Sequence, residues 1–154
     1  MNKWVNLSEM IPELKGSVIH ALNMDVNLLK NGLLKEGFRV YMVDGDRIVD
    51  ELTFFTEIAR VLEFPTYFGK NWGAWNDSLN NDFFELAPLK TAIVWEHADH
   101  SFESDAQTFL QAVCDLYNIA LGASLARFYN KNASEVKQIE VFFIGELKGF
   151  PRVM

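Results

Sequence analysis

The sequence predicts an α/β fold in which a small, mostly parallel sheet of three to four strands is packed with helices. Short apolar runs fit buried strands, and segments with apolar residues at helical spacing separate them. Strands that alternate with helices in this way are typical of parallel sheets. A chain of 154 residues suits one core better than two. We therefore expect a single domain over residues 1–154, with its core at about 38–145.

An N-terminal extension over about residues 17–36 is predicted to join this core. Residues 17–21 fit a short strand, and Val26–Lys35 fits a helix that ends at Gly37, a residue that tolerates positive φ. His20, alone in the apolar run, is typical of a hydrogen-bonded core histidine. The helix cannot bury its apolar stripe alone, so it should pack on the sheet. Four leucines are expected to face inward: Leu28, Leu29, Leu33 and Leu34.

The next strand and helix have clear boundaries. Residues 38–43 (FRVYMV) have the composition of a β-strand, and residues 44–46 form a turn signal. From Asp50, which can serve as the N-terminal cap, apolar residues recur at helical spacing. Pro65 marks the end of this helix. Gly69 is expected to take an unusual backbone conformation, and Asn71 to cap a short helix that runs to about Leu79.

The second half of the chain predicts two further strands and one long helix. Residues 91–95 form an apolar run suited to a strand buried on both faces. A long helix is expected over about residues 105–125, and a last strand over 139–144. Residues 1–16 and 145–154 show no clear pattern. Between strand and long helix we expect an acidic loop, which would carry Glu96, Asp99, Glu103 and Asp105.

The charge distribution favours a basic protein over nucleic acid as a binding partner, although composition alone favours the alternative that the acidic loops only aid solubility. The net charge is −7, and residues 64–105 alone hold 7 acidic and 2 basic residues, a net of −5. Nucleic-acid binding relies on Lys and Arg that neutralise phosphates, so direct binding to nucleic acid is not expected. An acidic surface would instead attract a cationic protein.

The N-terminal residues lack the apolar stretch of a signal peptide, and no run is expected to reach membrane-spanning length. The sequence therefore predicts a cytoplasmic protein without a membrane partner. Its single cysteine, Cys114, cannot form an internal disulfide, in agreement with a reducing compartment. Cys114 lies in a helical pattern, where a packed, buried thiol is expected.

The most specific segment is residues 64–79, FPTYFGKNWGAWNDSL. It reads as a helix stop, a Gly-containing loop and a short helix. This order of residues resembles the signature of the barstar family, and the resemblance extends more weakly over about residues 38–145. Eight positions match: Pro65, Tyr67, Phe68, Gly69, Asn71, Ala74, Asp77 and Leu79.

The resemblance implies a ribonuclease inhibitor or immunity protein that uses this loop and helix to occlude the active site of a basic microbial ribonuclease. The expected partner is a secreted or toxin ribonuclease. Tyr67 matches an interface tyrosine, Asp77 matches the aspartate that contributes most to binding, and Asp115 falls where the family has an acid on the following helix. No catalysis and no cofactor are implied. The expected partner-binding residues are Tyr67, Gly69, Asn71, Trp72, Gly73, Asn76, Asp77, Asn80 and Asp115.

Three departures from the family pattern lie in the same segment. Gly73 stands where the family usually has a second aspartate, Asn76 replaces an aromatic residue, and Ser78 replaces a frequent cysteine. The alternative function is therefore a barstar-fold interaction module that does not inhibit a nuclease. The two tryptophans of the segment, Trp72 and Trp75, lie three positions apart and so share a helix face, and at least one of them is expected to pack inward.

Polar residues after the third predicted strand raise two other possibilities. Glu96, His97, Asp99 and His100 include metal-ligand types, but no second cluster at a firm ligand spacing accompanies them, so we expect a polar loop and no metal. An enzyme would require a nucleophile with its base, a phosphate-binding glycine loop or spaced ligands. The sequence offers only pairs of acidic residues as a possible acid and base, and any acidic sequence of this size contains such pairs. We therefore expect no enzyme activity.

Overall fold

The computed structural model describes residues 4–14, 18–129 and 136–146. Four strands form its sheet: β1 (Ile19–Leu22), β2 (Arg39–Asp44), β3 (Lys90–Glu96) and β4 (Gln138–Ile144). Their spatial order is β1-β4-β3-β2, and every neighbouring pair is parallel. The predicted α/β class with one parallel sheet is confirmed. The first strand begins at Ile19, and Ser17 of the predicted strand lies outside the described residues.

The helices connect these strands and cover both faces of the sheet. The first three are α1 (Val26–Lys35), α2 (Glu51–Val61) and α3 (Trp72–Asp77). A π-helical segment, Ser78–Phe83, continues α3 into the short α4 (Phe84–Leu86), and α5 (Ala98–Ser104) and α6 (Ala106–Tyr129) precede the last strand. Two 3₁₀ turns, Leu7–Glu9 and Gly45–Arg47, complete the described elements.

The two central strands divide their side chains between two apolar cores. In β3, Ala92 and Val94 contact the core on the α1 side, whereas Ile93 and Trp95 contact the core on the opposite side. Side chains of successive strand residues point to opposite faces, so an uninterrupted apolar run fits a strand covered on both faces. All seven residues of β4 are buried, as this arrangement requires.

The α1 side of the sheet is covered by α1 and the N-terminal segment. Leu29 and Leu33 of α1 are buried there with Leu7, Ile11 and Leu14. The packing of the extension on the sheet is therefore as predicted. The inward orientation of Leu28 and Leu34 was wrong, because these side chains are 69% and 49% exposed. A helix that packs on one surface buries only one side, so Leu29 and Leu33 face the sheet and their neighbours Leu28 and Leu34 face outward.

The larger core lies on the other side of the sheet, beneath α2, α3 and α6. Helix α2 begins with a capping box in which the Asp50 carboxylate accepts the Thr53 backbone N–H and the Thr53 hydroxyl accepts the Asp50 N–H. This cap was predicted from Asp50. Phe54, Phe55 and Ile58 of α2 are fully buried in this core.

Two predicted loop features are wrong. The acidic loop after β3 is in fact helix α5, whose buried residues include Asp99 and Ser101. Because these buried residues are polar, the apolar residues of this segment do not recur at helical spacing, and the helix could not be recognised from hydrophobicity. Gly69 does not adopt positive φ; its neighbour Lys70 does, with φ 49°. Gly37, with φ 91°, has the predicted conformation.

Helix α6 corrects two further expectations. Ala106–Arg127 is long and apolar enough to cross a membrane by length and composition, so the expectation that no run reaches that length was wrong. The core helix of a globular protein meets the same criteria, and α6 packs against β4 with Phe109, Ala112 and Leu116 buried. Cys114 lies on its outer side and is exposed, not buried as predicted.

Candidate protein-binding site

Helix α3 and the loop before it are shaped by Asn71. The Asn71 Oδ1 atom accepts the Ala74 backbone N–H at 2.8 Å and so caps the helix, as predicted. Its Nδ2 donates to the Gly69 carbonyl at 3.2 Å. The side-chain oxygen of Asn71 thus bonds to the helix, and its side-chain nitrogen bonds to the loop. Asn71, expected at the binding surface, is exposed and also sets the position of the loop relative to the helix.

The inner side of α3 is fixed by Trp75. This side chain is fully buried and meets the ring of Phe54 edge-on, with centroids 5.2 Å apart. Its indole Nε1 donates to Asp115 Oδ2 on α6 at 2.7 Å. Asp115 is half-buried and also accepts from the Gln111 Nε2. Asp115 therefore joins α3 to α6 from within, a role that the sequence did not indicate.

Trp72 provides a second attachment, at the start of α3. It stacks on Phe54 at 5.8 Å and meets Phe55 edge-on at 4.9 Å. Its indole Nε1 donates to Glu51 Oε2 at 3.1 Å. The expectation that at least one tryptophan packs inward is confirmed: Trp75 is enclosed and Trp72 is half-buried.

Four exposed residues lie on the outer side of α3 and of the π-helical segment that continues it: Gly73, Asn76, Asp77 and Asn80. Their spacing of three, four and seven positions places them on one helix face. The Asn80 Nδ2 donates to the Asn76 carbonyl at 2.8 Å and to its side-chain Oδ1 at 3.1 Å. These two amides support each other. We call these four residues the outer face of α3.

Asp77 differs from Asp115 and Glu51, the two carboxylates that contact the tryptophans of this helix. It is exposed, and within the described residues its carboxylate takes part in no hydrogen bond or ion pair. Asp115 and Glu51 are each engaged by a tryptophan indole. Both oxygens of Asp77 therefore remain available to cationic groups of a partner.

The loop that immediately precedes α3 in the sequence carries one exposed aromatic ring, that of Tyr67. Tyr67 is 79% exposed, whereas Phe68 packs edge-on against Phe64 and Phe55, at 5.1 Å and 5.9 Å. Phe68 thus anchors the loop to the core, and Tyr67 is left in solvent. Exposed aromatic residues are favoured at interfaces because they add contact area at low entropic cost.

Comparison with protein families identifies the fold. Residues 38–136, which span α2, α3, β3 and α6, match the family model described as Barstar (barnase inhibitor). The chain belongs to the barstar family. No curated protein matches it. The family is one of inhibitors rather than catalysts, and the matched region contains every predicted binding residue.

Gly73, where the resemblance to the barstar family led us to expect an aspartate, lies inside α3. A Cβ atom added there would meet only the Asn71 Oδ1, at 3.3 Å. The position is helical and otherwise open, so a side chain would project from the outer face after a shift of a few tenths of an ångström. The structure therefore has room for a carboxylate side chain at position 73, although the sequence has glycine there.

The buried pair His20 and Glu140 lies apart from the outer face of α3. The Nε2 of His20 is 3.2 Å from Glu140 Oε1, as expected for a hydrogen-bonded core histidine. Burial raises the pKa of Glu140, and the histidine hydrogen bond opposes this shift. The other oxygen, Oε2, has no hydrogen-bond partner within the described residues. Glu140 is the one acidic residue of the buried strand β4. An acid within such an apolar run indicates a buried polar interaction, and the sequence interpretation overlooked this signal.

Proposed function

We propose that this protein inhibits a basic microbial ribonuclease by inserting the outer face of α3 and the Tyr67 loop into the enzyme's active site. Membership of the barstar family supports the inhibitor class. The observation that supports this face is the exposed, unpaired carboxylate of Asp77 on a helix whose other side is held by Trp75. The helix is held without using Asp77, so this carboxylate can serve binding.

Charge complementarity supplies the physical reason for such binding. A ribonuclease active site holds the phosphates of RNA with cationic side chains, and a carboxylate can occupy a phosphate position through charge-assisted hydrogen bonds. The net charge of −5 over residues 64–105 would also speed the approach of a cationic enzyme. We place this function in the cytoplasm, where it would protect the cell from its own nuclease.

The second candidate function is protein binding without nuclease inhibition. Gly73 and Asn76 leave Asp77 as the single carboxylate among the four residues of the outer face. A face with one charge and two amides is less complementary to a strongly cationic cleft than a face with two acids. A pull-down from the native cell extract distinguishes the two candidates. A small basic nuclease as the main partner supports inhibition, and a non-nuclease partner supports the interaction module.

The direct test uses barnase, the enzyme in the family's description, together with any basic nuclease recovered by pull-down. Replacing Asp77 with Ala would leave the cationic groups of the enzyme buried and unpaired. We expect a loss of about 2 to 5 kcal/mol in binding free energy, mainly through faster dissociation. Stopped-flow or surface-based kinetics of wild type and Asp77→Ala measures both rates. Wild-type binding to barnase itself should be weakened by the missing acid at Gly73.

The matched control is Glu9→Gln. Glu9 is exposed in the N-terminal 3₁₀ turn, on the α1 side of the sheet, and its substitution removes the same single negative charge. Screening separates Glu9 from the proposed interface, so Glu9→Gln should leave both rates almost unchanged, whereas Asp77→Ala should dissociate faster. Equal dissociation rates for wild type and Asp77→Ala would remove Asp77 from the interface. Absence of binding to every basic nuclease tested would contradict inhibition altogether.

A further inference from the structure

Three exposed side chains with metal-ligand chemistry meet where β2 and β3 end. Asp46 follows β2 in the 3₁₀ turn Gly45–Arg47, while His97 and His100 follow β3 at the start of α5. One ligand atom from each of the three lies within 4.8 Å of the others. Parallel strands bring their carboxyl ends to the same edge of a sheet, which explains how residues distant in sequence converge here.

The backbone beneath these side chains is closely packed. A Cβ atom at Gly45 would lie 2.2 Å from the His97 carbonyl oxygen, so only glycine allows the two loops to approach this closely. The Ser101 hydroxyl donates to the Gly45 carbonyl at 3.1 Å and accepts the Trp95 indole N–H at 3.2 Å. Buried contacts thus join the turn after β2 to the start of α5. The three side chains with metal-ligand atoms therefore project from fixed backbone positions.

We propose that Asp46, His97 and His100 form a surface binding site for a divalent transition-metal ion such as Zn²⁺. The His97 Nε2 is 3.6 Å from Asp46 Oδ2, and the His100 Nδ1 is 2.6 Å from Asp46 Oδ1. Ligand atoms around a tetrahedral zinc ion with bonds near 2.0–2.1 Å lie about 3.3 Å apart. The first pair already has this separation, and the second pair reaches it when the ion replaces the hydrogen bond.

The chemistry of the donors selects the class of metal. Two imidazoles and one carboxylate suit Zn²⁺, Ni²⁺, Co²⁺ and Cu²⁺, whereas Ca²⁺ and Mg²⁺ prefer oxygen ligands. The two imidazole rings lie nearly parallel, 5.4 Å apart, and all three side chains are half exposed. Remaining coordination positions would therefore be filled by water. His100 Nε2 is 3.9 Å from Asp99, a buried carboxylate that also accepts the Glu146 backbone N–H and can orient the ring.

This site lies outside the proposed nuclease-binding surface, because none of its residues belongs to α3 or the Tyr67 loop. No pattern in the sequence connects Asp46 with these histidines, because Asp46 precedes His100 by 54 positions. The expectation of a polar loop without a metal was based on Glu96, His97, Asp99 and His100 alone. The fold adds the third ligand and excludes Asp99, which is buried.

Isothermal titration calorimetry with ZnCl₂ on the full, untagged chain tests the proposal. We expect wild type to bind one ion per chain at this site. The double variant His97→Ala/His100→Ala should bind at least about tenfold more weakly, because even the loss of an orienting partner has effects of that size. Asp46→Asn should also weaken binding. Circular dichroism melts of each variant verify that these exposed substitutions leave the fold intact.

The remaining candidate ligands provide the controls. Cys114→Ser removes the exposed thiol and should leave the zinc affinity unchanged. The chain has three histidines, so NMR of the imidazole groups separates the sites: Zn²⁺ should shift the signals of His97 and His100 and leave those of buried His20 in place. Equal titrations of wild type and the double variant, or loss of binding in Cys114→Ser alone, would overturn the proposed site.

Discussion

The two sides of helix α3 have different physical roles. Its inner side holds Trp75 and its indole hydrogen bond to Asp115, both enclosed by aromatic rings of the core. Its outer side holds an unpaired carboxylate, two amides and a glycine in solvent. Stability and binding are therefore assigned to separate residues of one short helix. Inner substitutions should lower the free energy of unfolding, and removal of an outer side chain should change binding with little loss of stability.

The largest expected effect is that of Trp75→Ala. This change removes a fully buried indole and leaves a cavity beside Phe54, so the free energy of unfolding should fall by about 3 to 5 kcal/mol. Urea denaturation followed by circular dichroism measures the loss. The control is Tyr67→Ala, which removes a ring that is 79% exposed and should change stability by less than about 0.5 kcal/mol. Similar losses in both variants would contradict the division between the two sides.

Asp115→Ala should have an intermediate effect. It leaves the buried indole N–H of Trp75 without an acceptor, at a cost of about 1 to 3 kcal/mol of unfolding free energy. Asp115→Asn retains an acceptor oxygen and should recover most of this loss. If Asp115 also contacts a nuclease, the Asn variant will fold normally and still dissociate faster. An Asp115→Ala variant as stable as wild type would show that the indole bond does not hold the helix.

The smallest expected effect is a gain at Gly73. Gly73→Asp places a second carboxylate on the outer face of α3 and should tighten binding to a basic ribonuclease severalfold, mainly through slower dissociation. Gly73→Ala is the matched control, because it adds the same Cβ atom beside Asn71 without charge. Both variants should gain up to about 1 kcal/mol of helix stability. Equal affinities of the two variants would show that position 73 does not face the enzyme.

Local signals in the sequence were sufficient for most of the framework. Apolar runs predicted β3 and β4, and cap residues Asp50 and Asn71 predicted the starts of α2 and α3. These features depend on neighbouring residues alone. The family signature then indicated the outer face of α3, including Asp77, and the structure places these residues on one exposed side.

Features that depend on contacts across the fold could not be predicted in this way. The role of Asp115 requires α6 to cross α3, and the convergence of Asp46 with His97 requires two strands to end side by side. Which leucine of each pair in α1 is buried depends on the position of the sheet. The exposure of Cys114 depends on the side of α6 that faces β4. A pattern of apolar residues does not contain this information.

The order of the strands has a consequence for the synthesis of the chain. Strand β4 lies between β1 and β3, so the first strand to leave the ribosome pairs with the last. The hydrogen bond between His20 and Glu140 spans 120 positions of the sequence. Closing so long a segment of chain is entropically costly and slow compared with local contacts. The sheet can be completed only after β4 has left the ribosome, and until then β1 lacks the one strand with which it pairs among the described residues.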